Sequence, residues 1–264
     1  MKYGFATPFA SSQEKLDLPF YKAVKDAGYD FLELPATLIN NINEDDYRRL
    51  VDYLGSIEFE SSGICSLFPG RIKFFDISGN ELEEYIDWIF EKVRPLGAQK
   101  IGFGSGGARK LPEGMSPSEG MDIFTDKVRS HIVPYLDKYN YEMVIEAFNP
   151  KEANFILTAG EAVEAAAKIG SNRIGILTDT LHMIGSNDNA DAVIANYYNH
   201  IRHIHISEPD RIFPVSTYSP ECLACVNAFA KSGYDDTISF ETSCRDYTDL
   251  AVGLATLKRF FERP

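Results

Sequence analysis

The chain has 264 residues, 44% hydrophobic and 25% charged, enough apolar content to bury one barrel-sized core or two smaller ones. Its formal charge of -13 opposes attraction to nucleic-acid phosphates and argues against a nucleic-acid partner. The absence of any bilayer-length apolar run argues against a membrane span. The opening Met1-Lys2-Tyr3-Gly4-Phe5-Ala6 lacks the long apolar stretch of a signal peptide, and Cys65, Cys222, Cys225 and Cys244 are too few for a disulfide scaffold. A cytoplasmic protein with reduced thiols is expected.

Short β-rich runs are expected at 3–6, 31–34, 60–65, 100–103, 143–147, 173–179, 203–207 and 237–241. Helical patterns alternate with them at 16–27, 45–54, 81–96, 120–138, 160–169, 190–198, 220–231 and 247–261. Gly28, Gly97, Gly170 and Gly233 each follow a helical run and precede the next strand, as helix stops do. Strand and helix alternate to the end with no Pro/Ser-rich linker. This predicts an α/β fold, a single (β/α)8 TIM barrel over residues 1–264, rather than a doubly wound sheet with an extra domain. The longest irregular segment, 102–118, follows the fourth strand and falls on the face where barrel enzymes place their chemistry.

Four of the later strands end in metal-competent side chains: Glu146, Asp179, His205 and Glu241. A buried carboxylate is costly unless something pairs with it. Each residue taken singly reads as a solvated strand end; together, three carboxylates and one imidazole form a donor set for a single divalent ion. Oxygen donors with one imidazole and no thiolate suit Mn²⁺, Mg²⁺, Co²⁺ or Zn²⁺. Glu146 and Glu241 would approach from different sides, which suits proton abstraction next to a carbonyl, with an ion stabilising the enediolate. His182, three beyond Asp179, and Arg211, six beyond His205, fall in loops of the same face and are candidates to hold substrate oxygens. The plainer alternatives are a helix-start histidine touching water and a rim salt bridge from Arg211 to Asp210 or Glu208.

Other signals are weaker. Gly104-Ser105-Gly106-Gly107-Ala108-Arg109 lacks the P-loop and dinucleotide spacings but is a candidate backbone nest with Arg109 as a charged clamp on substrate. A flexible loop with a structural arginine is the competing reading. Cys222-Leu223-Ala224-Cys225 has half-zinc-site spacing but no second pair, and reads as two core-facing thiols. His203 is expected to turn away from His205's partner face or into the barrel wall, and Glu33, at the end of the second strand, reads either as a support behind the metal-competent residues or as a rim residue, its role left open. The aromatic groups Phe5 to Phe9, Phe68 with Phe74 and Phe75, and Tyr218 suit either sugar walls or plain core.

The set Glu146-Ala147-Phe148-Asn149, Asp179 with His182, His205 with Arg211, and Glu241 resembles the xylose isomerase-like TIM barrels. The likeness is greatest to the sugar phosphate isomerase/epimerase group that includes ketose 3-epimerases of the tagatose and psicose type. The resemblance covers nearly the whole chain. It implies one divalent ion, Mn²⁺ first, on Glu146, Asp179, His205 and Glu241, with the two glutamates exchanging a proton on opposite faces of a ketose carbon. It also implies that His182, Arg211 and Glu152 hold oxygens near the carbonyl, Glu152 supporting the histidine, and that the partner is a small carbohydrate and the protein a possible dimer or tetramer. Ala147 and Pro150 stand where these epimerases carry Pro and Arg, and Tyr234-Asp235-Asp236 replaces Tyr-Asp-Gly. Alternatives within the superfamily are a dehydratase of a keto-polyol, an endonuclease-type phosphodiesterase and a non-catalytic sugar-binding barrel. The endonuclease reading is disfavoured because that chemistry gathers several metals and more histidines.

Overall fold

Every expected β-rich run forms a strand: β1 Lys2–Ala6, β2 Phe31–Pro35, β3 Gly63–Cys65, β4 Lys100–Phe103, β5 Glu142–Glu146, β6 Ile174–Asp179, β7 Ile201–Ile206 and β8 Thr237–Glu241. In the computed structural model, which describes residues 1–7 and 16–262, each strand pairs in parallel with its sequence neighbour and β1 closes on β8. Helices fill the crossovers, so the architecture is a closed (β/α)8 barrel.

Period-2 alternation divides the strand side chains between two environments. Leu32, Ile101, Phe103, Met143, Ile145, Ile204 and Phe240 are fully buried against the helix ring. Phe103, for example, packs its ring 4.9–5.2 Å from Phe68, Phe74 and Phe124. Burying each such side chain contributes about 1.5–3 kcal/mol, which offsets an axis that carries polar groups instead. Glu33, His203, His205 and Ser239 occupy that axis and are all buried.

Helix entry is set by short polar side chains, as in the capping boxes of Ser78 with Glu81 and Ser116 with Glu119. The expected glycine stops are left-handed, as at Gly97 (φ 87°) and Gly170 (φ 71°). Three local features differ from expectation. The third strand is shorter because the Ser61 hydroxyl, not a main-chain carbonyl, accepts the Leu34 N–H at 3.2 Å. The helix expected at 120–138 is two helices, Pro117–His131 and Val133–Tyr139, since Pro134 removes a main-chain donor near the break. Helices Ala36–Asn41 and Thr180–Ser186 were not foreseen, being too short to show a period.

A register shift between β6 and β7 has direct bearing on the site. Ile176 pairs with Ile201 but Leu177 with His203, so Arg202 is an extra residue in β7 and Asp179 lies beside His205. Without it Asp179 would lie beside Ile204. Cys222 and Cys225, on helix Pro220–Lys231, face the hydrophobic core, as expected. Among the described residues no helix is long and apolar enough to cross a membrane.

Candidate metal centre

Glu146, Asp179 and Glu241 end β5, β6 and β8, and His205 is the last but one residue of β7. Barrel closure brings one donor atom from each within 4.8 Å of the others. His205 Nδ1 stands 3.9 Å from Glu146 Oε1, from Asp179 Oδ2 and from Glu241 Oε2. These distances are too long for hydrogen bonds, yet they suit donors sharing one ion, since ligands about 2.1 Å from a cation lie roughly 3–4 Å apart. Glu146 Oε1 and His205 Nδ1 are buried and have no hydrogen-bond partner. Leaving such a group unpaired costs about 1–3 kcal/mol. A cation held by these four residues would satisfy both, and the oxygen-plus-imidazole chemistry fits a divalent ion of the Mn²⁺, Mg²⁺, Co²⁺ or Zn²⁺ kind.

Electrostatics point the same way. Burial, then the negative charges of Glu241 and Asp179, push the Glu146 carboxyl well above the usual carboxylate range, against His205 and Arg109. Burial likewise raises Glu241, with Asp179 adding to it and His205 and Arg211 opposing. Burial resists charge on His205, but Glu33, Glu241 and Glu146 outweigh it and hold the imidazole up at about 10. Both raised carboxyls, Glu146 and Glu241, favour holding a proton unless a cation takes its place.

Asp179 does two jobs. Its Oδ1 caps helix Thr180–Ser186 by accepting the Leu181 N–H at 2.6 Å, and its Oδ2 accepts the Ser207 hydroxyl at 3.0 Å while facing the cluster. The cap places His182 on the first turn, buried. His182 Nδ1 accepts the Asn149 main-chain N–H at 3.3 Å and the Asn149 side-chain amide at 2.9 Å. Burial pulls the imidazole down to about 4, so it is neutral and its proton resides on Nε2, 3.7 Å from Glu146 Oε1. The same Asn149 amide donates to Glu152 Oε1 at 3.2 Å. Glu152 therefore reaches the histidine through Asn149, to which the sequence reading had given no role.

Arg211 forms neither of the rim pairs considered from sequence. Its Nη1 donates to Glu241 Oε2 at 2.8 Å and its Nη2 to Glu152 Oε2 at 3.2 Å. Its backbone is left-handed (φ 56°), which is unfavourable for a side chain of this size. Main-chain bonds to Glu208 and Ser243, each 2.8 Å, hold it there.

The clamp expected of Arg109 is not formed. Arg109 is fully buried, donating to the carbonyls of Glu146 and Phe103 with its guanidinium 5.1 Å from the Phe148 ring. It braces the ends of β4 and β5 from behind. The Ser105–Gly107 loop before it does line the open cavity of about 380 Å³, with Glu146, Glu241, His182, Glu152, Arg211, Phe68 and Phe148. That volume is within the range of small-molecule sites. Of the aromatic groups, Phe68 reaches the cavity, Phe5 and Phe74 are core, and Phe9 lies outside the described residues. Gly104 is packed so tightly that an added Cβ would fall 2.2 Å from Glu146 Oε2 and 3.2 Å from the Phe148 ring. Gly104→Ala is expected to displace the Glu146 carboxylate and weaken Mn²⁺ binding at least tenfold in a folded protein, checked by calorimetric titration beside circular dichroism.

Beneath the four donors the structure brings together Glu33, one of whose two sequence readings is a support behind the donors, and His203, expected to turn away. Glu33 Oε2 contacts His203 Nε2 at 3.1 Å and His205 Nε2 at 3.0 Å, all three buried. His203 does not turn away: strand alternation puts it on the same face as His205, with ring centres 4.9 Å apart. The signal was present in the His-x-His spacing and a glutamate within an apolar strand. A second cavity, of about 310 Å³, opens at the opposite end of the barrel and reaches Glu33 and His203 but none of the four donors.

A family model described as xylose isomerase-like TIM barrel matches residues 21–262. An L-ribulose 3-epimerase of Mesorhizobium japonicum is 29% identical over 105 residues, a match spanning 40% of this chain and 35% of that protein. Among solved structures, a D-psicose 3-epimerase from Clostridium cellulolyticum H10 with D-tagatose superposes with a TM-score of 0.80 at 17% identity, covering 99% of this chain and 98% of that one. A D-allulose 3-epimerase from a Methylomonas species superposes with a TM-score of 0.82 at 16% identity, covering 98% of each chain. At such identities the two structural likenesses speak to the fold.

Proposed function

Because the chain belongs to the xylose isomerase-like TIM barrel family, we propose that it is a divalent-metal-dependent epimerase of a small keto-sugar. The observation that carries this reading is a pair of carboxylates, the buried Glu146 and the partly exposed Glu241, flanking a donor cluster in which Glu146 Oε1 and His205 Nδ1 have no hydrogen-bond partner. The similarity to an L-ribulose 3-epimerase supports the substrate class. When bound, a divalent ion supplies Lewis-acid stabilisation of negative charge on substrate oxygens.

The residues of this chain do the rest. One glutamate, as the carboxylate, takes the proton from the carbon next to the carbonyl; the electron pair moves into the carbonyl and an enediolate forms. The other, as the carboxylic acid, returns a proton to the opposite face of that carbon and inverts it. Glu146 and Glu241 come from strands on different sides of the cluster, and both carboxyls are raised, which brings them nearer the pH at which proton exchange is efficient. The His182 Nε2–H is a donor for the substrate oxygen that gains charge. Arg211, paired with Glu241, biases that residue toward its ionised form. Among the described residues lining the cavity Arg211 is the one cation, and two carboxylates already engage it. We therefore favour an unphosphorylated ketose over a sugar phosphate.

The test is incubation of the Mn²⁺-loaded protein in D₂O with a panel of free ketoses and their phosphates, read by NMR. Deuterium is expected next to the carbonyl of a free ketose and is lost with chelator. No exchange on any member, with Mn²⁺ shown to be bound, would remove the reading. Product mass separates epimerisation from dehydration, which loses the mass of water.

A further inference from the structure

Beneath the four donors the barrel axis carries a connected row of polar side chains. At its foot Lys100 Nζ donates to Asp236 Oδ1 at 2.5 Å, to the Arg202 carbonyl at 2.6 Å and to Thr237 Oγ1 at 3.0 Å. Asp236 stands where the resembling epimerases carry Gly, and here it anchors that lysine. Thr237 Oγ1, accepting from Lys100, has its own hydrogen to place. His203 Nδ1 lies 2.7 Å away, whereas the competing Arg202 carbonyl is at 3.3 Å and already accepts from Lys100. The hydroxyl therefore points to His203, whose Nδ1 accepts and whose Nε2–H faces Glu33 Oε2 at 3.1 Å. The same oxygen takes the His205 Nε2–H at 3.0 Å. An imidazole with its proton on Nε2 carries its lone pair on Nδ1, and Nδ1 of His205 is the atom facing Glu146, Asp179 and Glu241.

We infer that Glu33 is the positioning residue of the site: it holds His205 in the tautomer that presents the Nδ1 lone pair to the donor cluster, and the Lys100–Thr237–His203 row fixes Glu33 in turn. This rests on the metal reading above. A carboxylate reaching from β2 across the barrel to β7, 2% exposed, has a large desolvation cost that two imidazole donors offset. The fold makes room for it: a Cβ at Gly63, its register partner on β3, would fall 2.9 Å from Glu33 Cγ. A carboxylate behind a ligating imidazole also raises the basicity of the ligand, and removing such a partner typically costs about 10–100-fold in metal affinity.

The experiment uses the full chain. Mn²⁺ affinity of wild type and Glu33→Gln is measured by electron paramagnetic resonance of the free ion. The His205 tautomer is read from two-bond ¹⁵N–¹H correlations of ¹⁵N-histidine protein loaded with diamagnetic Zn²⁺. The expected results are a wild-type spectrum with the proton on Nε2 and Nδ1 coordinated, and a folded Glu33→Gln that binds Mn²⁺ about 10–100-fold more weakly. Equal Mn²⁺ affinity in a folded Glu33→Gln overturns the inference, as does a wild-type spectrum with the His205 proton on Nδ1. Should Glu33→Gln fail to fold, the wild-type spectrum decides alone. If wild type takes up neither Mn²⁺ nor Zn²⁺, the metal reading itself falls and the inference with it. That result is distinct from a wild type that binds while Glu33→Gln is indifferent.

Discussion

Glu146→Gln and Glu241→Gln should each lower kcat/KM for ketose epimerisation by about 10³-fold or more and leave the barrel folded. A positioned acid or base contributes about 10²–10⁴-fold, and each substitution also replaces an anionic donor of the cluster with a neutral one. Gln has nearly the shape of Glu, so packing is conserved. Stability moves the other way for Glu146. Burial first, then Glu241 and Asp179, hold its carboxyl well above the usual range. A carboxyl raised by folding contributes its stability below the ordinary carboxylate range and loses it as pH climbs toward the raised value. In metal-free protein Glu146→Gln should therefore match wild type near pH 4 and gain on it by pH 8. Steady-state rates and denaturant unfolding at the two pH values check both halves. A variant that keeps the wild-type rate removes the two-carboxylate mechanism.

Metal loading should release protons, and affinity should climb with pH. In the metal-free chain the surrounding carboxylates hold His205 at about 10, so at neutral pH it carries a proton that must leave before Nδ1 can bind a cation. Glu146, raised for the reasons given, adds a further fraction of a proton. Below pH 10 each proton displaced makes the apparent Kd fall by about tenfold per pH unit. Calorimetry with Mn²⁺ in two buffers of different ionisation enthalpy counts the protons directly. At 100 times Kd, Mn²⁺ should stabilise the fold by about 2.7 kcal/mol and raise Tm by roughly 5–10 °C. A Kd that does not change between pH 6 and 8 would mean that cation and proton do not compete for these donors.

The donor set was legible because its members are costly where they stand. Glu146, Asp179, His205 and Glu241 each end or nearly end a short apolar run, and in a repeating strand–helix chain such ends share one face. His182 and Arg211 were legible by spacing, but their partners were not. That Asn149 joins His182 to Glu152, and that Arg211 spans Glu152 and Glu241, follows from the segments after β5, β6 and β7 meeting beside the end of β8 at the barrel mouth. Arg109 was misread because a charged residue after a glycine-rich loop looks like a ligand contact. Only packing shows its donors spent on two strand-end carbonyls.

Local chemistry along the chain determined the eight strands, the helices between them, most of their caps and the residues able to bind a cation. Those depend on neighbours within a few positions, which is the range over which propensity, capping and alternation act. The tertiary structure alone decided which polar groups meet. The extra residue at Arg202 sets His205 rather than Ile204 beside Asp179, and nothing local in the sequence marks it. Glu33 and His205 are 172 residues apart, and only closure of the barrel brings them within a hydrogen bond. A contact across a closed sheet depends on the register of every strand between its partners, and register is a property of the whole ring.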